Sequence, residues 1–473
     1  MTSLEKRKEK RYQKRKQRRM QKKQQNLTLE SVFSPDNMWD SETKCYSGTD
    51  WKSSVIQHEY NRLSNAIEES EQLVSGELIH LGFHNFDTVE RGVLRHISSL
   101  KITERIIHNC LCTNALYPEI EKTIVYDNCA SIKHAGISRS LTQLKKHLHR
   151  YYREVGSNDG YIVLLDCRHY FDSIKHSVAI SILNKLLIFA DQSLRKLISF
   201  YILAFSEITD SDCGLGLGSP LSQAVGVLIL SIVDHYVKEQ LHNIEHGSGR
   251  FMDDSYVIVQ MKEDGYTVIE SINELYNMLG LTLNISKTKI VPIGKPFIWL
   301  KKIVYLKPTG RVIMAIQPKA FRRERARLRK YKKLFEEGRV TEIYIRQQFI
   351  AFCRQYTKFH SRDLIFRLVN YYNELFPQFE IIEMKQIFKT KHDKLQNLSF
   401  CLSHQYKHYI VLICNHGIVS ARGRNTEWLL HTVKSAKSKK YSDGAIRAYT
   451  GLESAPRRAN VLVFNANGVL VQH

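Results

Sequence analysis

The chain has 473 residues, 70 of them Lys or Arg against 47 Asp or Glu, for a formal net charge of +23 and a pI near 9.5. With 43% hydrophobic and 10% aromatic residues it can bury a sizeable core, which excludes a wholly disordered chain. The longest apolar run, around Val225 to Val233, is about half of the ~18 residues a membrane span needs. The basic N-terminus is followed by no apolar segment of the kind a secretory signal carries. So large a positive excess points to a polyanion, with nucleic acid ahead of an anionic membrane surface.

Nine cysteines without a CxxC pair are read as free thiols in a reducing, cytoplasmic compartment rather than a disulfide framework. At roughly 100–200 residues per domain, the length predicts about two to four domains. Twelve Lys and Arg lie between Lys6 and Lys23, with only Glu5 and Glu9 opposing and almost nothing apolar. Such a segment cannot pack and repels itself without counterions. Residues 1–30 are therefore expected to form a disordered, phosphate-binding arm, with a solvated solubility tail as the plainer reading.

From Trp51 to Tyr152 the pattern is mostly helical. Thr88 to Ile97 reads as a hairpin turning at Gly92. Ile102 to Leu116 reads as a helix capped by Thr103, with Pro118 beyond its end, and Leu141, Leu144 and Leu148 mark another. The all-apolar run Tyr161 to Leu165 predicts a buried strand that presents Asp166 at its C-terminal end. Helical patterns follow from Ile174 to Phe205. Gly214, Gly216 and Gly218 then make a turn before Ser219-Pro220, where Pro220 suits the first position of an apolar helix reaching about Leu241. A hairpin joins Gly249–Met252 to Ser255–Met261 with Asp253-Asp254 at its turn. A helix over Ile269–Leu279 and a second hairpin over Ile290–Ile316 come next. This order predicts an α+β fold.

From Pro318, nine cations on a helical stretch (Lys319, Arg322, Arg323, Arg325, Arg327, Arg329, Lys330, Lys332 and Lys333) are opposed by Glu324 alone, and helices continue to Leu375. After about Glu380 a β-like patch, His408 to Cys414, precedes a Lys/Ser/Gly/Arg-rich stretch reaching Arg458, read as an RNA-binding tail or a disordered linker. Cys401, His404, His408, Cys414 and His416 have zinc-ligand chemistry. Their spacing fits no zinc pattern, and Tyr409–Ile413 runs through them as an ordinary buried strand.

The chemistry rests on carboxylates. If the strand ending at Asp166 neighbours the hairpin, Asp166 and Asp253 meet at one sheet edge. Like charges so close call for cations, and hard oxygen ligands favour Mg²⁺. Two carboxylates can bridge two ions about 4 Å apart, the arrangement of in-line nucleotidyl transfer. A lone Asp-Asp is weak evidence, since Asp is common in surface turns.

Its neighbours carry the argument further. Phe251-Met252-Asp253-Asp254 resembles the YMDD box of reverse transcriptases, with Phe in place of Tyr. Asp166-Cys-Arg-His-Tyr-Phe171-Asp172-Ser-Ile174 resembles their first catalytic motif, Leu217-Gly218-Ser219-Pro220-Leu221-Ser222-Gln223 their template- and nucleotide-handling motif, and Leu279 to Thr288 the next. All four occur in the family's order, and the resemblance covers roughly residues 75 to 375. The texture is closest to bacterial enzymes of diversity-generating retroelements, prophages, defence systems and group II introns. Gly214-Leu215-Gly216-Leu217-Gly218 stands where intron enzymes usually carry Gln-Gly-Gly.

The resemblance implies a right-hand polymerase with fingers and palm over residues 31–315, a basic helical thumb over 316–379, and an unassigned region over 380–473. Asp166, Asp253, Asp254 and the backbone carbonyl of Cys167 would hold two Mg²⁺, with Mn²⁺ as a substitute. Lys287 would give a proton to pyrophosphate; a plain surface lysine is the alternative. Phe171 would exclude a ribose 2′-OH, unless it is only a core anchor. Gly218 would let backbone approach the incoming base pair, and Gln223 would touch its sugar or the template. Arg95, with Arg91 as backup, would clamp the triphosphate from a fingers hairpin, unless these are solvated strand charges. Phe297-Ile-Trp299-Leu300 and the turn around Gly310 resemble the primer grip. Lys319, Arg322, Arg323, Arg325, Arg329 and Lys333 would meet the backbone of the duplex.

The implied partners are an RNA template, a DNA or RNA primer and dNTPs, with a structured cognate RNA or an accessory protein as further candidates and no membrane. The implied activity is cDNA synthesis by an RNA-directed DNA polymerase. An RNA-binding maturase or scaffold and a template-independent polymerase on the same palm remain the alternatives.

Overall fold

The computed structural model describes residues 26–90, 93–133, 135–216 and 218–388, and beyond them 402, 410–415, 418–421, 429–430, 432–433, 436–440, 446–451, 461–465 and 470–472. The basic arm from Lys6 to Lys23, Arg91, Gly92, Leu217, Cys401, His404, His408 and His416 lie outside the described residues, as does the side chain of Arg95. The chain divides into two units, Met1–Ile293 and Gly294–His473.

Among the described residues, the first unit opens with four helices: α1 (Leu29–Val32), α2 (Pro35–Tyr46), α3 (Ser53–Tyr60) and α4 (Arg62–Val74). Thr28 and Ser31 close a capping box on α1, and Ser34 caps α2 just before Pro35, so both helices start where the orphan N–H groups find oxygen. β1 (Phe83–Glu90) and β2 (Val93–Leu100) pair antiparallel from Phe83↔Leu100 to Glu90↔Val93, the predicted hairpin.

The helix expected from Ile102 to Leu116 is corrected. α5 (Ile102–Leu111) passes into a π-turn at Cys112–Leu116 and on into α6 (Tyr117–Thr123). Pro118 starts α6 rather than standing beyond a helix end, because its missing N–H costs nothing in a first turn. Thr103 does not cap; the cap position is Lys101, with no side-chain bond. α7 (Ile137–Val155) ends at Gly156 in the left-handed conformation.

The four-stranded antiparallel sheet at the centre has the order β4-β5-β3-β6, from β3 (Tyr161–Leu165), β4 (Gly247–Phe251), β5 (Asp254–Val259) and β6 (Lys289–Pro292). Between β3 and β4 run α8 (Tyr170–Ser173), α9 (His176–Leu186), α10 (Gln192–Ala204), α11 (Ser206–Thr209) and α12 (Pro220–Glu239). α13 (Lys262–Met278) follows β5.

Val163, Leu165, Val257 and Val259 alternate along β3 and β5 to face a core shared with α12 and α13. Pro220 opens α12 as expected. That helix is long and apolar enough by composition to cross a membrane, although no continuous apolar run in the sequence is. It is mostly buried within the protein, so its apolar surface serves the core: Leu221, Val225, Leu228, Ile229, Leu230 and Val233 are all buried, at about 1.5–3 kcal/mol each.

The second unit opens with a three-stranded antiparallel sheet, β7 (Phe297–Trp299), β8 (Lys302–Leu306) and β9 (Val312–Ile316). This corrects the single hairpin expected over Ile290–Ile316, since Ile290 belongs to β6 and pairs with Val163 in the central sheet. α14 (Pro318–Glu336), α15 (Glu342–Arg354), α16 (Arg362–Leu375) and α17 (Met384–Ile387) then bury Leu328, Ile345, Phe349, Tyr372 and Phe376, with the Phe349 and Tyr372 rings stacked 4.4 Å apart.

Among the described residues, six strands follow: β10 (Ile410–Asn415), β11 (Ile418–Ala421), β12 (Lys437–Lys440), β13 (Ile446–Gly451), β14 (Val461–Asn465) and β15 (Leu470–Gln472). Their order is β12-β13-β11-β10-β14-β15, with only β10 and β14 parallel. β12 and β13 lie inside the stretch read as a linker or tail, which is therefore partly sheet. Successive residues of β10 point to opposite cores, Leu412 toward Leu429 and Val433, Val411 and Ile413 toward Leu402 and Phe464. Cys414 lies in β10, buried.

Candidate active site

The central sheet brings the three carboxylates to one edge. Leu165 pairs with Ser255 and Phe251 with Asp254, so Asp166 leaves β3 beside the β4–β5 turn that holds Met252 and Asp253. Met252 occupies left-handed space at φ 57°, uncommon for a residue with a Cβ. Its sulfur lies 3.7 Å from the Ser131 hydroxyl, and Ser131 in turn donates to Gln223 Oε1 at 3.3 Å. A tight two-residue turn is what aims Asp253 outward past the end of the ladder.

The segment after Asp166 is pinned by backbone. Asn284 N–H donates to the Asp166 carbonyl at 2.8 Å, and Arg168 N–H to the Thr282 carbonyl at 2.9 Å. Cys167 bridges Leu283 between these bonds. In an antiparallel ladder the intervening residue turns its own N–H and C=O the other way, here toward the edge on which β5 lies. The Cys167 thiol is buried, with the Thr282 carbonyl 3.6 Å away, and burial pushes its pKa up to about 12.

Asp166 is mostly buried. Its carboxylate accepts from Asn284 Nδ2 at 2.8 Å and from the largely exposed Lys287 Nζ at 3.1 Å. Burial raises the Asp253 pKa; its own backbone N–H opposes that, and the Asp166 charge raises it again. The site thus concentrates negative charge that one lysine neutralises only in part. Its donors are hard oxygens, and such a set fits divalent cations of the Mg²⁺ type.

Beneath this edge, Arg250 is fully buried one residue before Phe251. Its Nε donates to Asp234 Oδ1 at 2.6 Å, and Asn128 Nδ2 donates to Asp234 Oδ2 at 3.3 Å. The sequence gives Arg250, Asn128 and Asn284 no site role, and Asp234 enters it only within the stretch Asp234 to Glu239 that resembles diversity-generating-retroelement enzymes. Asn284 lay in plain view inside the Leu279–Thr288 motif. No local signal marks Arg250 and Asp234 as partners.

Phe171 is half-buried beside the Tyr170 ring, 5.2 Å between centroids. Gly226 of α12 lies against it; a Cβ there would meet the Phe171 ring at 3.1 and 3.3 Å. Gly218 is exposed at φ 105°, a conformation that only glycine adopts without strain, with open space around it. Gln223 is exposed at the start of α12.

Lys319, Arg322, Arg323, Arg325, Arg329 and Lys333 are all exposed on α14. Arg325 lies over the Tyr371 ring at 4.1 Å, and Arg329 Nη1 donates to the Tyr371 hydroxyl at 3.3 Å. Arg327 differs from them: it is paired with buried Glu324 at 2.7 Å.

Residues 87–307 match the family model of the reverse transcriptase (RNA-dependent DNA polymerase). The chain carries a reverse transcriptase domain. No curated protein matches the chain. The reverse transcriptase match begins inside β1 of the hairpin and takes in the whole central sheet and all three carboxylates, and its fold is of the polymerase palm type. The protein is an RNA-directed DNA polymerase, a nucleotidyltransferase that takes a nucleic-acid template, a primer and nucleotides and works with divalent metal ions.

Proposed function

We propose that the reverse transcriptase makes cDNA at the sheet edge formed by Asp166, Asp253 and Asp254, with these carboxylates and the carbonyl of Cys167 as the cation ligands. The observation that carries this reading is the convergence of Asp166 with the Asp253 turn while a single ammonium, Lys287 Nζ, sits 3.1 Å from the Asp166 carboxylate. Bound Mg²⁺, or Mn²⁺ in its place, would supply activation of the primer 3′-hydroxyl and charge neutralisation at the leaving pyrophosphate. Asn284 and Lys287 hold the Asp166 carboxylate in one orientation, and Lys287 is placed to give a proton to the departing pyrophosphate. Phe171, backed by Gly226 and Tyr170, forms the floor under the sugar and excludes a 2′-OH by contact. Gly218 admits the incoming base pair close to backbone, and Gln223, steadied by Ser131, touches the sugar or template.

In this reading β1 and β2 are the fingers hairpin. Arg95, with Arg91 as backup, meets the triphosphate. β7–β9 serve as a primer grip, and the exposed cations of α14 act as a thumb on the duplex backbone. The motif texture favours a bacterial or prophage retroelement or a defence system as the setting. The test is primer extension on an RNA template with each dNTP omitted in turn, beside the Asp253→Ala/Asp254→Ala protein. Template-dictated product that vanishes in the double variant is expected. Product that survives the variant would overturn the carboxylate assignment, and product made without template would favour untemplated synthesis.

A further inference from the structure

The four helices that precede the reverse transcriptase domain enclose a second cluster of ligating side chains, far along the chain from the catalytic carboxylates. Glu42 comes from α2, His58 from α3 and Glu69 from α4, and one ligand atom of each lies within 4.8 Å of the others. All three residues are buried, Glu42 completely. Two carboxylates in such a place are costly unless their charge and lone pairs are met.

The protein meets only part of that need. Arg62 Nε donates to Glu42 Oε2 at 3.1 Å, and His58 Nε2 lies 3.1 Å from Glu69 Oε1. Glu42 Oε1 and Glu69 Oε2 are buried and have no hydrogen-bond partner. Arg62 is itself committed elsewhere, its guanidinium over the Trp39 ring at 3.5 Å and donating to the Trp39 carbonyl at 3.0 Å. On the far side of the imidazole, the Tyr46 hydroxyl is 2.7 Å from His58 Nδ1. A partner on one ring nitrogen orients the ring and leaves the other free to ligate, as outer-shell groups do around bound metals.

We propose that Glu42, His58 and Glu69 form a structural Zn²⁺ site that clips α2, α3 and α4 together. One imidazole and two carboxylates make a nitrogen–oxygen donor set suited to zinc, and the imidazole disfavours Mg²⁺. Zinc–ligand bonds of about 2.0–2.2 Å put tetrahedral ligand atoms roughly 3.4 Å apart, a modest contraction of the present cluster. The ion takes up the two orphaned oxygens. It also adds a polar clip to three helices that share the core built by Tyr46, Val55 and Ala66.

The test uses the full-length chain with Asp253→Ala/Asp254→Ala, which removes the other acidic cation site. After chelator treatment, ZnCl₂ titration should load one zinc per chain and raise Tm by several degrees. Adding Glu69→Gln should abolish both effects while leaving the metal-free Tm unchanged or higher, because one of two neighbouring buried carboxylates is neutralised. His58→Gln should abolish both effects as well, with a lower metal-free Tm because Glu69 loses its partner. Zinc uptake that persists in these variants, or no shift of Tm at all, would overturn the site. A His58–Glu69 contact that needs no metal predicts that second outcome. If the variants fail to fold, Co²⁺ replaces Zn²⁺ in the parent chain. Tetrahedral d–d bands without sulfur charge transfer support the site, and thiolate bands place the metal on cysteine and refute it.

Discussion

Arg250 Nε donates to Asp234 Oδ1 at 2.6 Å with both side chains buried, and the chain reaches Asp253 only three residues later. The backbone around Arg250 is tied as well: its N–H donates to the Asp127 carbonyl at 3.1 Å, and its carbonyl accepts from Cys129 N–H at 3.0 Å. The Met252-Asp253 turn therefore stands on a buried ion pair. Asp234→Ala would strand the guanidinium without its partner and should cost about 3–5 kcal/mol, read from urea denaturation. Asp234→Leu combined with Arg250→Met should recover most of that loss, because breaking a buried pair costs more than replacing it with apolar groups. A double variant as unstable as the single one would show that the pair's geometry, not its charge, supports the turn.

Asp253→Asn should separate activity from stability. Polymerisation should fall by about 10³-fold or more, the upper end of what losing one charge-stabilising group costs. Tm should hold or rise, since burial and Asp166 already penalise the Asp253 charge. Steady-state primer extension and a thermal melt on the same preparation check both halves.

Phe171 gives a selectivity prediction. Phe171→Ala should raise the ratio of rNTP to dNTP kcat/KM by about tenfold or more, roughly 1.4 kcal/mol of discrimination. Gly226→Ala should also change the ratio, by less, because its new methyl must shift the Phe171 ring by a few tenths of an ångström. If Phe171→Ala only destabilises, by the roughly 3–5 kcal/mol that removing a core aromatic costs, with the ratio unmoved, the gate reading fails.

His80 makes stability depend on pH. Its Nδ1 is 2.7 Å from Glu104 Oε1 and its Nε2 3.0 Å from Glu207 Oε2. Burial lowers its pKa, but the hydrogen bonds it donates to the Glu207 and Glu104 carboxylates outweigh burial and hold it above the ordinary value. The folded pKa exceeds the unfolded one. The stabilisation is therefore complete below about pH 6.5 and drains away as pH rises through the folded value. His235, held by the Thr123 carbonyl and Glu239 against burial, titrates with the same sign. Denaturation midpoints taken across this range should slope downward in the parent and flatten in His80→Gln/His235→Gln. An unchanged slope would assign the dependence elsewhere.

The α14 cations should show themselves in salt dependence. Lys319→Ala/Arg322→Ala/Arg323→Ala should reduce the slope of log affinity against log salt by about 0.7–0.9 for each phosphate that is no longer neutralised, with little effect on Tm. Arg327→Ala should do the reverse, lowering Tm because it leaves buried Glu324 unpaired, with no change of slope. Filter binding of a primer–template duplex at several salt concentrations distinguishes the two.

The order of elements around Asp166, Asp253 and Asp254 was legible in the chain. An apolar run ending in Asp166 and Pro220 at the head of an apolar helix are contiguous signals, and both elements formed where their local pattern placed them. The turn expected at Asp253-Asp254 lies one residue earlier, at Met252-Asp253, with Asp254 already paired to Phe251 in β5. Boundaries failed where local rules compete. Pro118 read as a stop, yet a π-turn carries the helix past it because buried Cys112, Ala115 and Leu116 gain more from the core than regular hydrogen bonding loses. Ile290 read as the start of a hairpin, but β3 had an unpaired edge for it. The six-stranded sheet was hidden because β12, Lys437–Lys440, is three lysines and a serine, and β13, Ile446–Gly451, is a short mixed segment, so neither carries a continuous apolar run to announce it. Asn284 on Asp166, Asp234 on Arg250, and Glu42 with His58 and Glu69 join residues well separated in sequence. No periodicity encodes such pairs. Charge, turn chemistry and hydrophobic period are properties of a segment and can be read from it. The partner of a buried polar group is chosen by which segments pack together, and that is decided only when the core closes.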